Sequence, residues 1–308
     1  MDAPIRTALP PDSPHAELFR RVQSALFALP SNFRTSVHIT GINATDLFAL
    51  NSTLGAAIET QAVASLNALR SLWDPEADYG GYAFVRQSQR FPDVVLRRGT
   101  DEPILGIELK GWYLLAKEGE PSLRFTVSPL VCAPQDLIVV FPWALSDVLS
   151  GAPRLLVPWV EQARFVAETR NFYWQQVPQS FSSRSIQDRT MKLSSVSQFY
   201  PAKTDAISDR PVHDAGGNFG RIVRPSQGGL LREFIEESLT TELSGVPARH
   251  WIAFFRAFTD QARPAEVADT VERLARRIRE EGLLPDLGDD ELGRALSLMV
   301  RALARVDR

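Results

Sequence analysis

Hydrophobic residues in the first quarter of the chain recur at the spacing of an α-helix. They do so over residues 14–28 and again over residues 43–73. The second stretch carries an apolar stripe with this spacing: Leu54, Ile58, Ala62, Leu66 and Leu69. Residues 51–53 (Asn-Ser-Thr) are good helix-capping residues, so we expect the second helix to start afresh there. The pattern therefore predicts two amphipathic helices before the first strand.

After residue 80 the pattern changes to short β-branched and aromatic runs separated by turn residues. Four such runs predict β-strands: residues 82–89, 91–98, 104–112 and 136–143. The second and third runs are joined by Arg-Arg-Gly-Thr-Asp-Glu-Pro, a sequence typical of a turn, which predicts an antiparallel hairpin. Residues 113–135 contain three prolines and a glycine, so they leave room for only a short or broken helix.

Beyond the fourth strand the pattern becomes mixed and then helical again. Residues 158–176 are aromatic-rich and predict a helix, whereas residues 180–227 are polar and lack clear periodicity. Four C-terminal helices are predicted, each bounded by Gly, Pro or Asp: residues 229–243, 247–261, 264–281 and 289–306. The predicted fold class is therefore α/β.

Composition limits the kinds of protein this can be. The chain has 308 residues, of which 44% are hydrophobic and 23% charged, as in ordinary globular proteins. Its single cysteine, Cys132, excludes an internal disulfide and a cysteine-rich metal site, and its apolar neighbours predict that it is buried. The longest apolar run, 137–145, is too short to span a bilayer, and no secretory signal opens the chain. We therefore expect a cytoplasmic protein with no membrane association.

The net charge of −3 does not point to a nucleic-acid partner, but the basic residues are unevenly distributed. Residues 184–224 contain seven Lys or Arg against four Asp, and such a local basic surface can bind phosphates. Only four of the 34 basic residues are lysine, including Lys110. In so arginine-rich a chain, a lysine suggests a position where arginine would not serve.

Three ionisable residues on the predicted hairpin form the strongest chemical signal. If the turn is centred between Thr100 and Asp101, Asp93 lies directly opposite Glu108, with Cβ atoms about 4.5–5.5 Å apart. Strand alternation places Lys110 on the same face as Glu108, while the residues between and before them point into a core.

Two carboxylates this close repel each other unless a cation lies between them. Mg²⁺ suits such a position, because it accepts one or two carboxylates and keeps several waters. An adjacent lysine can hold or deprotonate a water, which arginine does poorly because it stays protonated. The pattern therefore predicts a metal site at which a phosphate could react.

The order Pro-Asp93, a gap of 14 residues and then Glu108-x-Lys110 resembles the PD-(D/E)XK nuclease superfamily, which includes type II restriction endonucleases. The resemblance covers about residues 51–145 and implies a restriction-endonuclease-like core, a central mixed sheet flanked by helices. It implies that Asp93 and Glu108 bind Mg²⁺ with the backbone carbonyl of Leu109, and that Lys110 positions the attacking water. Glu59 occupies the place of an additional family glutamate on the first core helix, where it would assist a metal.

This resemblance also implies an activity and a domain organisation. We expect a helical lead-in (1–45), a nuclease core (46–227) with a polar DNA-contact insertion (180–227), and a helical C-terminal region (228–308). The implied enzyme is a type II restriction endonuclease, which would hydrolyse double-stranded DNA to 5′-phosphate and 3′-hydroxyl ends. Cutting both strands of a symmetric site calls for a homodimer, and a cognate DNA methyltransferase is the expected genetic neighbour.

The polar insertion has the composition of a DNA-reading segment, although an exposed loop would have the same composition. Its candidate DNA-binding residues are Arg184, Arg189, Lys192, Lys203, Arg210, Arg221 and Arg224.

Other activities have less support in the sequence. The chain has no Gly-rich loop followed by Lys-Ser/Thr and no Gly-x-Ser-x-Gly, so ATP-driven and serine-hydrolase mechanisms are not expected. Two alternatives stay open within the resemblance: a structure-specific repair or mobile-element nuclease, and a non-catalytic DNA-binding protein that retains the fold. A third alternative is that the three polar residues form only a surface salt bridge.

Overall fold

The computed structural model describes residues 3–42, 46–87, 90–116, 119, 121, 125, 127–181, 229–256 and 264–280. They form an α/β protein with a mixed central sheet. The N-terminal helices are α1 (Ala16–Asn32), α2 (Leu50–Ala68) and α3 (Arg70–Trp73). The sheet contains β1 (Ala83–Arg86), β2 (Val94–Arg97), β3 (Leu105–Tyr113), β4 (Leu137–Leu145), β5 (Pro153–Leu155) and β6 (Trp159–Gln162).

The sheet has the spatial order β1-β2-β3-β4-β5, and β6 pairs with β4 as well. β1, β2 and β3 form an antiparallel meander, β3 and β4 are parallel, and β5 and β6 are antiparallel to β4. In the described part of the β3–β4 connection, helical structure is limited to the 3₁₀ turn Pro129–Val131. The expected short or broken helix is confirmed there.

Helices α1 and α2 cover one face of the sheet. The predicted apolar stripe of α2 is buried and packs against α1 and the strands. Ile107 and Leu109 of β3 lie in this interface beside Ala62 and Leu66 of α2. Because side chains alternate along a strand, Glu108 and Lys110 project from the opposite face.

The capping role expected for Asn51 is wrong. Helix α2 begins at Leu50 without a side-chain cap. The Oδ1 atom of Asn51 instead accepts hydrogen bonds from the backbone N–H of Tyr113 at 3.1 Å and from Nε1 of Trp143 at 3.2 Å. Asn51 thereby satisfies two hydrogen-bond donors of the helix–sheet interface. These bonds stabilise the fold more than a helix cap would, because a buried donor without a partner is costly.

The helix predicted over residues 158–176 is only partly correct. Residues Trp159–Gln162 form β6, and the helix α4 follows at Ala163–Phe181. The edge of β4 opposite β3 would otherwise lack hydrogen-bond partners, and β6 and β5 supply them. Within β6, Glu161 is buried and forms an ion pair with Arg6 from the N-terminal segment.

The described C-terminal region is mainly helical, as expected. It contains α5 (Arg232–Ser238), α6 (Ala248–Phe255) and α7 (Pro264–Glu280). The helix predicted over 229–243 is shorter because residues Glu242–Leu243 and Val246–Pro247 pair as strands β7 and β8. The predicted helix 289–306 lies outside the described residues.

This region packs against the end of β3. Phe234 of α5 lies 6.1 Å from Trp112, measured between ring centroids, on the face that also carries Glu108 and Lys110. The core residues, among them the predicted buried Cys132, form one hydrophobic cluster that extends from α1 to α7. Within the described residues no helix is both long enough and apolar enough to cross a membrane.

Candidate active site

The β2–β3 hairpin has the register that the sequence predicts. Val94 lies opposite Ile107, and Leu96 lies opposite Leu105. Continuing this register by one position places Asp93 opposite Glu108, at the point where β2 begins.

At this point hydrogen bonds from side chains replace the backbone hydrogen bonds between the two strands. The Oδ2 atom of Asp93 accepts the backbone N–H of Leu109 at 2.9 Å, and the backbone N–H of Asp93 donates to Oε2 of Glu108 at 3.2 Å. Each carboxylate is thus held by the backbone of the opposite strand. The hairpin, not the flexible side chains alone, therefore fixes the separation of the two acidic groups.

Lys110 joins the two carboxylates from the same strand as Glu108. Its Nζ atom lies 2.6 Å from Oε1 of Glu108 and 3.6 Å from Oδ2 of Asp93. The exposed fractions of the side chains are 9% for Glu108, 17% for Lys110 and 30% for Asp93. The group is therefore accessible to solvent mainly from the Asp93 side.

Burial has opposite consequences for the acid and the amine. It raises the pKa of Glu108 to about 7, although Lys110 works to lower it. Burial also works to lower the pKa of Lys110, but the negative charges of Glu108 and Asp93 outweigh it, so that this pKa lies above its ordinary value. The amine therefore stays charged at neutral pH, and an additional cation would help Glu108 to ionise.

Gln87, the residue that follows β1, supports the Pro-Asp segment from the other side. The backbone N–H of Gln87 donates to the carbonyl of Asp93 at 2.7 Å, and Nε2 of Gln87 donates to the carbonyl of Pro92 at 3.0 Å. The position of Asp93 is therefore determined by two neighbouring strands.

Glu59 lies beside this group, on α2. Its Oε2 atom is 2.9 Å from Nη2 of Arg86, whose Nη1 atom donates to Oγ1 of Thr60 at 2.9 Å. Burial raises the pKa of Glu59, and the charge of Asp93 raises it further, whereas Arg86 and Lys110 act in the opposite direction. Glu59 is thus electrostatically linked to the site, and its direct contact is with Arg86.

Comparison with known proteins identifies no relative. No family model, no curated protein and no solved structure matches this chain. The interpretation of the site therefore depends on its own residues.

The donor atoms fit a hard divalent cation such as Mg²⁺. Asp93 and Glu108 provide carboxylate oxygens, and Mg²⁺ is bound by one or two carboxylates while it keeps several waters. The N–H of Leu109 points towards Asp93, and the carbonyl of the same residue faces the same edge of the strand. Over the described part of the chain, no group of three or more His, Cys, Asp or Glu side chains could hold a metal ion. A cation here would therefore depend on two carboxylates, a carbonyl and water, and the prediction that Glu59 assists a metal stays a prediction.

The sequence analysis did not single out Arg86, which the structure places in contact with Glu59. Arg86 could have been found only from the β1–β2 register, which pairs it with Val94, next to Asp93. The seven predicted DNA-binding residues all lie outside the described residues: Arg184, Arg189, Lys192, Lys203, Arg210, Arg221 and Arg224.

Proposed function

We propose that this protein is a Mg²⁺-dependent endonuclease that hydrolyses phosphodiester bonds of double-stranded DNA. The observation that carries the proposal is the convergence of Asp93, Glu108 and Lys110 at the edge where β2 begins beside β3. Two carboxylates held a fixed distance apart, with an ammonium between them, suit a site that binds a metal ion and a phosphate.

The surrounding sheet supports a restriction-endonuclease-like core. An antiparallel meander, β1 to β3, is followed by a strand parallel to β3, and α2 packs on one face. This is the order of helix, three strands, connection and strand that the resemblance implies. Asp93 immediately precedes the second strand of the meander and Glu108 lies on the third strand, a placement that suits the proposed core.

Each of the three residues has a separate role in the proposed reaction. When bound, Mg²⁺ would lower the pKa of a water molecule and neutralise charge on the phosphate. Asp93 and Glu108 would hold the ion, with the carbonyl of Leu109 beside them. Lys110 is charged, so it would act as a hydrogen-bond donor that orients the attacking water and stabilises negative charge on the phosphate, and it would not remove a proton in its resting state.

Within this proposal the protein is a type II restriction endonuclease. It would act as a homodimer on a symmetric sequence, because two strands need two active sites. A cognate methyltransferase would protect the host DNA, and residues in the 180–227 insertion would read the sequence.

The test is digestion of unmodified phage DNA by the purified protein with Mg²⁺, beside an EDTA control and an Asp93→Asn variant. Discrete fragments from the wild-type protein alone support the proposal. A smear, or cutting confined to branched DNA, would favour a repair or mobile-element nuclease. Intact DNA with Mg²⁺ and with Mn²⁺ would contradict a nuclease function.

A further inference from the structure

We propose that Arg86 binds a backbone phosphate of the DNA substrate next to the active site, and that Glu59 and Thr60 hold its guanidinium ready for this contact. The inference deepens the proposed function and rests on it for the identity of the substrate. Its structural basis is independent of the metal, because it concerns a cation at the rim of the site.

Arg86 lies at the end of β1, where its ion pair with Glu59 links it to the group formed by Asp93, Glu108 and Lys110. It is the last residue of that strand, and its Cα partner is Val94, the residue after Asp93. The next residue, Gln87, makes the two hydrogen bonds that hold the Pro92-Asp93 segment. The backbone of Arg86 is therefore fixed relative to Asp93.

The charges around the site are mainly negative, so a phosphate that binds there requires a cation exposed to solvent. Three carboxylates, those of Glu59, Asp93 and Glu108, are accompanied by two cations, Lys110 and Arg86. Lys110 is mostly buried and already contacts two of the carboxylates. The polyanionic DNA backbone would approach a group rich in negative charge, so a phosphate needs a cation that reaches the surface.

Arg86 is the most exposed of these five charged side chains. Its exposed fraction is 41%, against 28% for Glu59 and 17% for Lys110. A guanidinium has five N–H donors in a planar fork that matches two phosphate oxygens. The contacts with Glu59 and Thr60 use two of these donors, one on each terminal nitrogen.

The contacts with α2 also reduce the entropic cost of binding. A free arginine side chain loses considerable rotamer freedom when it is immobilised on a ligand. Glu59 and Thr60 already orient the guanidinium of Arg86, so less freedom remains to be lost. If the Arg86–Glu59 contact were only a surface ion pair, it would contribute about 0–1 kcal/mol to stability and nothing to DNA binding.

The salt dependence of duplex binding distinguishes these two roles. Binding is measured in Mg²⁺ on a fixed DNA duplex, with every protein carrying Lys110→Ala so that the duplex stays intact. In this background Arg86→Ala is expected to weaken binding of that duplex. Because one phosphate contact is lost, the slope of log K against log salt should become shallower by about 0.9.

The matched control is Arg98→Ala. Arg98 is also exposed and paired with a carboxylate, Asp101, but it lies at the opposite end of β2. We expect its slope to equal that of the Lys110→Ala parent, and we expect Arg86→Lys to keep the parent slope because the charge is retained. Thermal unfolding of each variant checks the fold, and Arg86→Gln replaces Arg86→Ala if the latter does not fold.

The outcomes separate this inference from the proposed nuclease function. The role of Arg86 is overturned if the salt slope of Arg86→Ala equals that of the parent, or if Arg86→Ala loses no more duplex affinity than Arg98→Ala does. Either result overturns it even if the wild-type protein cuts DNA. A shallower slope in a protein whose wild type never cuts DNA supports Arg86 and overturns the nuclease. No duplex binding by the parent at any salt concentration overturns both.

Discussion

Replacing Glu108 with glutamine should make the metal-free protein increasingly stable, relative to the wild type, as the pH rises, although it removes a residue of the candidate site. Burial raises the pKa of Glu108 from its ordinary 4.5 to about 7. A carboxyl group whose pKa is raised on folding favours the folded state below its unfolded pKa, and this contribution is lost as the pH rises towards the folded pKa. Glutamine is neutral at every pH, so the variant does not lose stability at this position as the pH rises.

The size of the effect follows from the two pKa values. At about 1.36 kcal/mol for each pH unit between them, ionising Glu108 costs roughly 3 kcal/mol more in the folded chain than in the unfolded chain. The free energy of unfolding of Glu108→Gln, relative to the wild type, should therefore increase by about 3 kcal/mol between pH 4.5 and pH 8. At roughly 2 °C per kcal/mol for a chain of this size, the relative Tm should rise by about 6 °C.

The assay is thermal unfolding in EDTA at several pH values, with Glu102→Gln as a control. Glu102 is an exposed glutamate in the turn of the same hairpin, so its replacement should change the Tm little at any pH. Adding Mg²⁺ at pH 8 should stabilise the wild-type protein and leave Glu108→Gln unchanged. A Tm difference between the variant and the wild type that does not increase with pH would refute the reasoning.

Two further predictions concern the support of the site and its metal. Asp136 is fully buried, and its carboxylate accepts the backbone N–H groups of Gly106 and Ala133, each at 2.7 Å. Asp136→Ala should therefore lower the free energy of unfolding by about 2–5 kcal/mol, more than Asp136→Asn, and equal losses in urea titrations would contradict this. The affinity for Mg²⁺ should rise by up to about tenfold per pH unit below pH 7, because Glu108 must lose its proton. Isothermal titration calorimetry at pH 5.5, 6.5 and 7.5 measures the Mg²⁺ affinity, and an affinity that does not change with pH would count against Glu108 as a ligand.

The sequence was sufficient to predict the hairpin that brings the candidate residues together. One turn sequence between two apolar runs determines the register, and the observed pairing of Val94 with Ile107 agrees with it. The apolar stripe of α2 was equally predictable, because burial of one helix face depends on local periodicity. Both features follow from residues close together in the chain.

Features that depend on distant residues could not be predicted. The hydrogen bonds of Asn51 join it to residues 62 and 92 positions away, and capping propensity gives no sign of them. The strand β6 exists because the edge of β4 needs partners, whereas its own sequence suits a helix. The contact between Arg86 and Glu59 likewise requires β1 to pack beside α2. In each case tertiary contacts outweigh local preference.

The most direct test of the proposed active site is the cleavage rate of Lys110→Ala under single-turnover conditions, measured together with DNA binding. Lys110 contacts both carboxylates, and in the proposed reaction it orients the attacking water. Its loss should lower the rate of phosphodiester hydrolysis by about 10²- to 10⁴-fold, while duplex binding in Mg²⁺ is retained. Cleavage by Lys110→Ala at the wild-type rate would contradict the proposed catalytic role of the Asp93, Glu108 and Lys110 group.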